Sequence, residues 1–200
     1  MQIICISDTH GQRPILPKAD ILIHCGDLSN CGGVTELAKE AAWLRSLPHA
    51  HKIFVPGNHD VALEDLLNAG MESQVRTKLF YGIHYLRDSG VVIEGVTFWG
   101  APWIIPYAGA WNLPDSERRR KWALIPDDVD VLITHEAPFG ILDDGHGCKE
   151  LATTVKRVRP RMHCFGHHER AHGNVSVDGT AFHNAAYRKG HNFLHSVLEM

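Results

Sequence analysis

Five apolar runs of the sequence each end in polar residues whose side chains are typical metal ligands. The runs lie at residues 3–6, 21–25, 53–55, 131–133 and 162–165. The side chains that follow them are Asp8, His10, Asp27, Asn58, His59, His135 and His167. Carboxylate, amide oxygen and imidazole together suit manganese, iron, zinc, nickel or magnesium, and the lack of a thiolate disfavours a closed structural zinc site. One Asp or Asn at a strand end is common turn chemistry, but five such ends together predict a metal site.

The elements that must position these side chains are buried strands. Continuous apolar runs of this length predict strands buried on both faces, and the carboxyl ends of parallel strands meet at one edge of a sheet. Apolar residues recur at helical spacing over residues 34–47 and 148–158, each segment closing before a proline. Glu94-Gly95 and Asp178-Gly179 each separate two short β-branched runs, which predicts hairpins. Two packed sheets between helical layers are therefore expected.

Asp27 is the candidate for connecting two metal ions. Dinuclear hydrolytic sites hold their ions about 3.5–4 Å apart, which lets one carboxylate bind both. A water molecule between two such ions becomes acidic enough to attack a phosphate ester at neutral pH. The ligand set therefore favours metal-dependent hydrolysis.

The order and spacing of the polar segments resemble those of a known family. The segments Asp8-Thr9-His10, Gly26-Asp27, Gly57-Asn58-His59-Asp60, Thr134-His135 and Gly166-His167 are similar to the five blocks of the calcineurin-like metallophosphoesterase superfamily. Ala101-Pro102-Trp103 and Phe182-His183-Asn184-Ala185 resemble its MPPED-like branch. The resemblance implies one domain over residues 1–200 with an α/β fold, a four-layer α/β/β/α sandwich with two mixed β-sheets flanked by helices.

The same resemblance implies a role for each residue. The first metal would be held by Asp8, His10 and Asp27, and the second by Asp27, Asn58, His135 and His167. His59 would be the general acid or would stabilise the transition state, and Asp60 would orient it. The implied cofactors are two divalent cations, with manganese favoured over iron, zinc, nickel or magnesium.

Residue 169 departs from the family pattern, in which the last block is Gly-His-x-His. Glu169 stands where the second histidine would complete the first metal site, and His168 fills the variable position. Three outcomes stay open. Glu169 binds the ion, His168 binds it after a shift of the loop, or the first site holds its ion weakly.

Four residues are expected to face the substrate: Asn58, His59, Trp103 and His168. Trp103 belongs to a segment, residues 101–112, that is rich in aromatic residues and too irregular for a helix or strand. A tryptophan there could stack on a nucleobase. A packed loop is an equally good interpretation of this segment.

The expected activity is that of a phosphodiesterase acting on cyclic nucleotides or other small phosphodiesters. The chain is too short for a large cap, and the MPPED-like branch implies such substrates. The alternatives are a phosphomonoesterase acting on nucleotides and a weakly active nucleotide-binding or scaffolding protein. The formal charge of −3 gives no strong nucleic-acid signal, and the basic run at residues 118–121 is expected to be a solvated helix face.

The sequence also predicts a cytoplasmic protein with no membrane partner. No stretch approaches the roughly 20 apolar residues that cross a bilayer. Ser7-Asp8 interrupts the first apolar run too early for a signal peptide. The five cysteines are odd in number and show no Cys-x-x-Cys spacing, which favours reduced thiols. The oligomeric state is left open.

Overall fold

Two β-sheets pack face to face in the structure, a computed structural model that describes residues 1–187 and the strand Leu194–Val197. The first sheet contains β1 (Gln2–Ile6), β2 (Ile21–His24), β3 (His51–Phe54), β4 (His84–Tyr85) and β11 (Leu194–Val197), in the order β11-β1-β2-β3-β4. The second contains β5 (Ser89–Ile93), β6 (Val96–Ala101), β7 (Val131–Thr134), β8 (Met162–Phe165), β9 (Gly173–Val177) and β10 (Thr180–Asn184), in the order β5-β6-β7-β8-β10-β9.

Both sheets are mixed, as expected. Strands β1 to β4 run parallel, as do β6, β7, β8 and β10, while β11, β5 and β9 are antiparallel edge strands. The helices are α1 (Val34–Ser46), α2 (Val61–Asn68), α3 (Glu72–Gln74), α4 (Asp115–Trp122) and α5 (Lys149–Val158). A π-helical turn, Val75–Leu79, continues α3, and a 3₁₀ turn spans Glu169–Ala171. Within the described residues, no helix combines the length and apolarity that crossing a lipid bilayer requires.

The apolar strands are buried on both faces, which explains their continuous hydrophobic sequences. In β1, Ile3 and Cys5 belong to the cluster between the two sheets. The alternate residues Ile4 and Ile6 belong to a second cluster that includes Leu37 of α1. Alternate residues of a strand therefore pack into two different hydrophobic clusters, one on each face of the sheet. The four-layer sandwich is confirmed.

The expected helices and hairpins are present. Helix α1 makes the crossover between the parallel strands β2 and β3, and α5 makes it between β7 and β8. Ile93 pairs with Val96, and Val177 pairs with Thr180, at the two tight turns.

The basic run at residues 118–121 is not uniformly solvated, so the expectation is wrong for Arg118. Only 3% of this residue is exposed. Its guanidinium binds Asp115 Oδ1 at 2.6 Å and also donates to the Leu113 carbonyl. Arg118 therefore anchors the start of α4, whereas Arg119 remains solvated.

Candidate metal centre

The chain turns sharply where the ligand-bearing strands end. Asp8, His10, Asp27 and His167 all have left-handed backbone angles, with φ of 57°, 46°, 55° and 66°. Such angles are strained for residues other than glycine, at about 1–3 kcal/mol each. The turns are held by hydrogen bonds between neighbouring loops, since the N–H of Asp8 donates to Gly26 O at 2.9 Å and that of His10 to Asp27 O at 3.0 Å. Each turn brings its side chain to the shared edge of the two sheets.

Glycine allows the ligand loops to approach closely. A Cβ atom on Gly57 would lie 2.3 Å from Asp27 Oδ1 and 2.6 Å from His135 Cε1. A Cβ atom on Gly26 would lie 2.4 Å from His135 Nδ1. The glycines that precede Asp27 and Asn58 in the sequence therefore occupy space that no side chain could share with the ligands.

Asp27 lies between two histidines, with one carboxylate oxygen facing each. Its Oδ2 is 3.9 Å from His10 Nε2, and its Oδ1 is 3.4 Å from His135 Nε2. Asp27 belongs to two groups of metal-donor atoms, each within 4.8 Å: one with His10 and His59, the other with His135 and His167. A carboxylate shared by two donor groups fits the position of a bridging ligand.

The second donor group is oriented by backbone carbonyls. Nδ1 of His135 lies 2.8 Å from Cys25 O, so this nitrogen must donate and Nε2 is left for a metal. The Asn58 amide donates from Nδ2 to Ala108 O at 3.0 Å, which turns its Oδ1 towards His135 Nε2 at 3.0 Å. Both ligand atoms therefore point to the same place.

Burial and the neighbouring charges shift the pKa values of this group. Burial disfavours the His135 cation, but the charge of Asp27, reinforced by Asp8, raises the pKa of His135 to about 10. Burial also opposes ionisation of Asp27, yet His135 holds the pKa of Asp27 well below its usual range. Burial and the His135 cation lower the pKa of His167 to about 3, so the His167 imidazole is neutral near neutral pH and could offer a nitrogen to a metal. Metal binding must displace the His135 proton.

Asp8 is a second buried carboxylate beside Asp27. It accepts the His167 N–H at 3.0 Å through Oδ2 and 3.2 Å through Oδ1. Burial raises the pKa of Asp8 to about 6, against the lowering influence of His135 and with a further increase from Asp27. Two buried carboxylates that repel each other are stabilised by a cation, so the donor set fits a divalent metal.

Asp60 is positioned differently from the expectation. Its buried carboxylate accepts the N–H of Gly57 at 2.9 Å, and both the N–H and the hydroxyl of Ser29, at 2.9 and 2.8 Å. It therefore ties the loop after β2 to the loop after β3. The ring of His59 instead has Asn30 among its neighbours, with Asn30 Oδ1 3.3 Å from His59 Nδ1.

Residues 168 and 169 face different parts of the site. Glu169 Oε1 lies 3.7 Å from His10 Nε2, and 44% of the Glu169 side chain is exposed. His168 turns the other way, and its Nε2 lies 2.8 Å from Glu136 Oε1. Of the two, Glu169 is therefore the residue placed beside the first metal position.

An open cleft of about 540 Å³ lies over the donor atoms. Its lining residues are Asn58, His59, Ile105, Tyr107, Asp144, His146, His167, His168, Glu169 and Arg170. Trp103, expected here, is instead 9% exposed in the core. Its indole donates to Asp88 Oδ1 at 2.6 Å, and the ammonium of Lys121 lies over the ring, 4.4 Å from its centroid. The packed-loop interpretation is correct for Trp103.

Comparison with known proteins identifies the family to which this centre belongs. Residues 1–169, which contain all five ligand segments, match the model of the calcineurin-like phosphoesterases. The chain belongs to the calcineurin-like phosphoesterase family. This family is metal-dependent, and membership in it supports a hydrolase.

Relatives in animals match most of the chain. It is 37% identical to a UPF0046 protein of Caenorhabditis elegans, over 93% of this chain and 69% of that protein. It is also 37% identical to metallophosphoesterase domain-containing protein 1 of Homo sapiens, over 88% of this chain and 63% of that protein. The chain thus spans about two thirds of the length of these relatives, and the resemblance to the MPPED-like branch is confirmed.

Solved structures share the fold. One crystal structure superposes with a TM-score of 0.76 at 16% identity, covering 97% of this chain and 93% of the other. The structure of GAP50, the anchor in the inner membrane complex of Plasmodium, superposes with a TM-score of 0.54 at 9% identity, over 93% of this chain and 71% of that one. At these identities the likeness shows the fold alone.

Glu136, Asn30 and Tyr107 are among the residues of this phosphoesterase site that were not singled out in the sequence. Glu136 follows His135 directly, and Asn30 lies three residues after Asp27. Tyr107 belongs to the aromatic segment in which Trp103 was chosen. Proximity to a ligand was a usable signal for the first two, whereas only side-chain direction distinguishes Tyr107 from Trp103.

Proposed function

We propose that the protein is a phosphodiesterase that acts on cyclic nucleotides or other small phosphodiesters with two divalent cations, manganese being favoured. The observation that carries this proposal is the placement of Asp27, whose two oxygens face His10 and His135. Cations bound to the two donor groups would polarise the phosphoryl oxygens and increase the acidity of a water molecule.

The chain's own residues would orient the substrate and supply the proton. His59 lines the cleft with Nδ1 directed at Asn30, which leaves Nε2 for the oxygen of a leaving group. Its backbone N–H donates to Asp27 Oδ1 at 2.8 Å, so the candidate acid and the candidate bridge are held together. A proton donor at this place lowers the barrier for departure of an alkoxide.

Exposure of Glu169 supports the alternative of a weakly active nucleotide-binding protein. The Glu169 side chain is 44% exposed, so water competes with it for an ion. The side chain also loses conformational freedom when it binds the ion. A weakly held first ion would leave the fold and the cleft intact while reducing turnover. A nucleotide phosphomonoesterase remains the other alternative.

The thiols support a reducing, cytoplasmic compartment. The structure has five free cysteines and none of them forms a disulfide: Cys5, Cys25, Cys31, Cys148 and Cys164. Proteins of oxidising compartments more often pair their cysteines.

The test is turnover by chelator-treated protein reloaded with manganese, magnesium, zinc, nickel or iron. We expect hydrolysis of bis-p-nitrophenyl phosphate, and a lower kcat/KM for the monoester p-nitrophenyl phosphate. Asp27→Ala should abolish turnover and reduce metal content, whereas Asp65→Ala, at an exposed carboxylate of α2, should change neither. Equal or faster turnover of the monoester would favour a phosphomonoesterase, and metal binding without turnover would favour the binding protein.

A further inference from the structure

Residues 104–112 form an ordered loop along one wall of the cleft. The N–H of Ile105 donates to Glu136 Oε2 at 3.0 Å, and that of Ala110 donates to Asn58 O at 2.9 Å. Asn112 closes the loop on itself, since its Oδ1 accepts the Tyr107 N–H at 2.5 Å. The loop is therefore attached to a metal ligand and to a buried carboxylate before any substrate arrives.

Tyr107 stands at the exposed part of this loop. Its ring contacts the ring of His167 edge-on, with centroids 5.4 Å apart and planes at 84°. Even so, 66% of Tyr107 is exposed. An aromatic ring that is fixed through its backbone and open to solvent can receive a planar ligand with little further loss of conformational freedom.

His59 belongs to the first donor group, whereas Tyr107 contacts the second. The His59 ring packs against His10, with centroids 4.5 Å apart, in the first donor group. Tyr107 packs against His167, in the second. A substrate whose leaving group faces His59 would extend its other ester group towards Tyr107 and Ile105.

We propose that Tyr107 is a specificity-determining residue that stacks on a planar ring carried by the ester group that the substrate retains. The substrate class is then a phosphodiester whose product is a nucleoside monophosphate or an aryl phosphate. This inference rests on the proposed phosphodiesterase activity and adds which side of the phosphorus the ring occupies.

Two substrates with the same leaving group test the proposal. The p-nitrophenyl ester of thymidylate and methyl p-nitrophenyl phosphate both release p-nitrophenolate, but only the first retains a planar ring. Tyr107→Ala should raise KM for the thymidylate ester by roughly 10-fold, as loss of one base-stacking contact does, and leave KM for the methyl ester within about twofold. Tyr107→Phe should keep the wild-type preference.

Phe139→Ala is the matched control, because Phe139 is an exposed aromatic residue, at 46%, that does not line the cleft. It should leave both KM values unchanged. An equal increase in KM for the two esters in Tyr107→Ala, or no change for either, would overturn the proposal.

A binding measurement separates this inference from the proposed activity. Calorimetry with metal-loaded protein should show thymidylate binding more tightly than inorganic phosphate, and Tyr107→Ala should remove that difference. If neither ester is hydrolysed, the phosphodiesterase assignment fails while this binding difference still decides the role of Tyr107. Equal affinity of the wild-type protein for thymidylate and phosphate would overturn the inference about Tyr107.

Discussion

His59 is held by groups other than the Asp60 carboxylate that was expected to orient it. Its Nδ1 faces the neutral Asn30 amide oxygen and lies 3.3 Å from Cys31 Sγ. Its backbone is fixed by the bond from His59 N to Asp27 Oδ1. A neutral partner orients the His59 ring without adding a negative charge, while Asp60 links the loops after β2 and β3.

Removal of the His59 imidazole should slow chemistry without removing the metals. We expect His59→Ala to lower kcat by roughly 10²–10⁴, the usual contribution of a positioned acid. Metal content by elemental analysis should stay at the wild-type value. His51→Ala is the control, because His51 begins β3 and the site lies at the other end of that strand. Loss of metal from His59→Ala would instead make His59 a ligand.

We expect Glu169 to influence which ion the first site prefers. Its carboxylate lies 3.7 Å from His10 Nε2, and oxygen ligands favour harder ions. Glu169→His should shift the metal retained after dialysis from manganese or magnesium towards zinc or nickel. Glu169→Gln, which removes the charge without adding an imidazole, should lose the first ion.

Elemental analysis of the three proteins after identical dialysis measures the effect of Glu169. The wild-type protein and Glu169→His should differ in which metal they retain, and Glu169→Gln should contain the least metal. Identical stoichiometry and preference in all three would show that Glu169 does not bind the ion.

At the scale of elements, the site depends on how closely the loops after β2 and β3 approach. Asp60 links them through Ser29 and Gly57. Gly57 leaves no room for a side chain, because an added Cβ would lie 2.3 Å from Asp27 Oδ1. The distance between the loops therefore sets the distance between the ligands.

Gly57→Ala should force these loops apart. We expect the free energy of unfolding to fall by about 1–3 kcal/mol, as overpacking usually causes, together with a loss of bound metal. Gly33→Ala is the control, since a Cβ there meets no atom within 4 Å. Urea denaturation and metal analysis of both variants measure the two effects. A Gly57→Ala protein with wild-type metal content would show that the loops can separate without disturbing the ligands.

At the scale of the whole molecule, buried histidines of both sheets lie beneath the site, among them His24 in the first sheet and His163 in the second. Nε2 of His24 is 3.0 Å from Thr9 Oγ1, and Nε2 of His163 is 2.9 Å from Thr134 Oγ1. Burial lowers the pKa of each to about 3. Both rings are therefore neutral in the folded protein and bind protons when the chain unfolds.

This difference makes stability depend on pH. Below about pH 6.5 these two histidines are protonated in the unfolded chain but stay neutral in the folded protein. Each of them therefore lowers the free energy of unfolding as the pH falls towards about 3. From about pH 7 to about pH 5, His163 should account for about 2 kcal/mol of lost unfolding free energy. Asp8, whose pKa is raised to about 6, acts in the opposite direction, so the comparison must be between variants.

Urea denaturation of metal-free protein at the two pH values measures this contribution. His163→Gln should lose less stability on acidification than the wild-type protein does, by about 2 kcal/mol. His146 is exposed, so His146→Gln should lose as much unfolding free energy on acidification as the wild-type protein does. An unchanged pH dependence in His163→Gln would mean that folding does not lower the pKa of His163.

The sequence alone determined the family, the five apolar strands and the two hairpins, whereas β4 and β11 were not predicted. A strand buried on both faces must be continuously apolar, and a candidate ligand at its carboxyl end must follow it directly. Both features can therefore be recognised within one short segment, as in Ile3–Ile6 with Asp8 and Val131–Ile133 with His135. The helices before Pro48 and Pro160 can be recognised in the same way, because the helical spacing of their apolar residues and the proline after each helix lie within one segment.

The tertiary structure alone decided which side chains face the cleft and which partners hold them. Trp103 and Tyr107 belong to one aromatic segment, yet only the second reaches the cleft, because the loop is fixed by a bond from Ile105 N to Glu136, 31 residues away. Likewise, backbone direction at the 3₁₀ turn sends Glu169 to His10 and His168 to Glu136. Such choices depend on contacts between distant segments, and residue type and spacing do not encode the direction of a side chain.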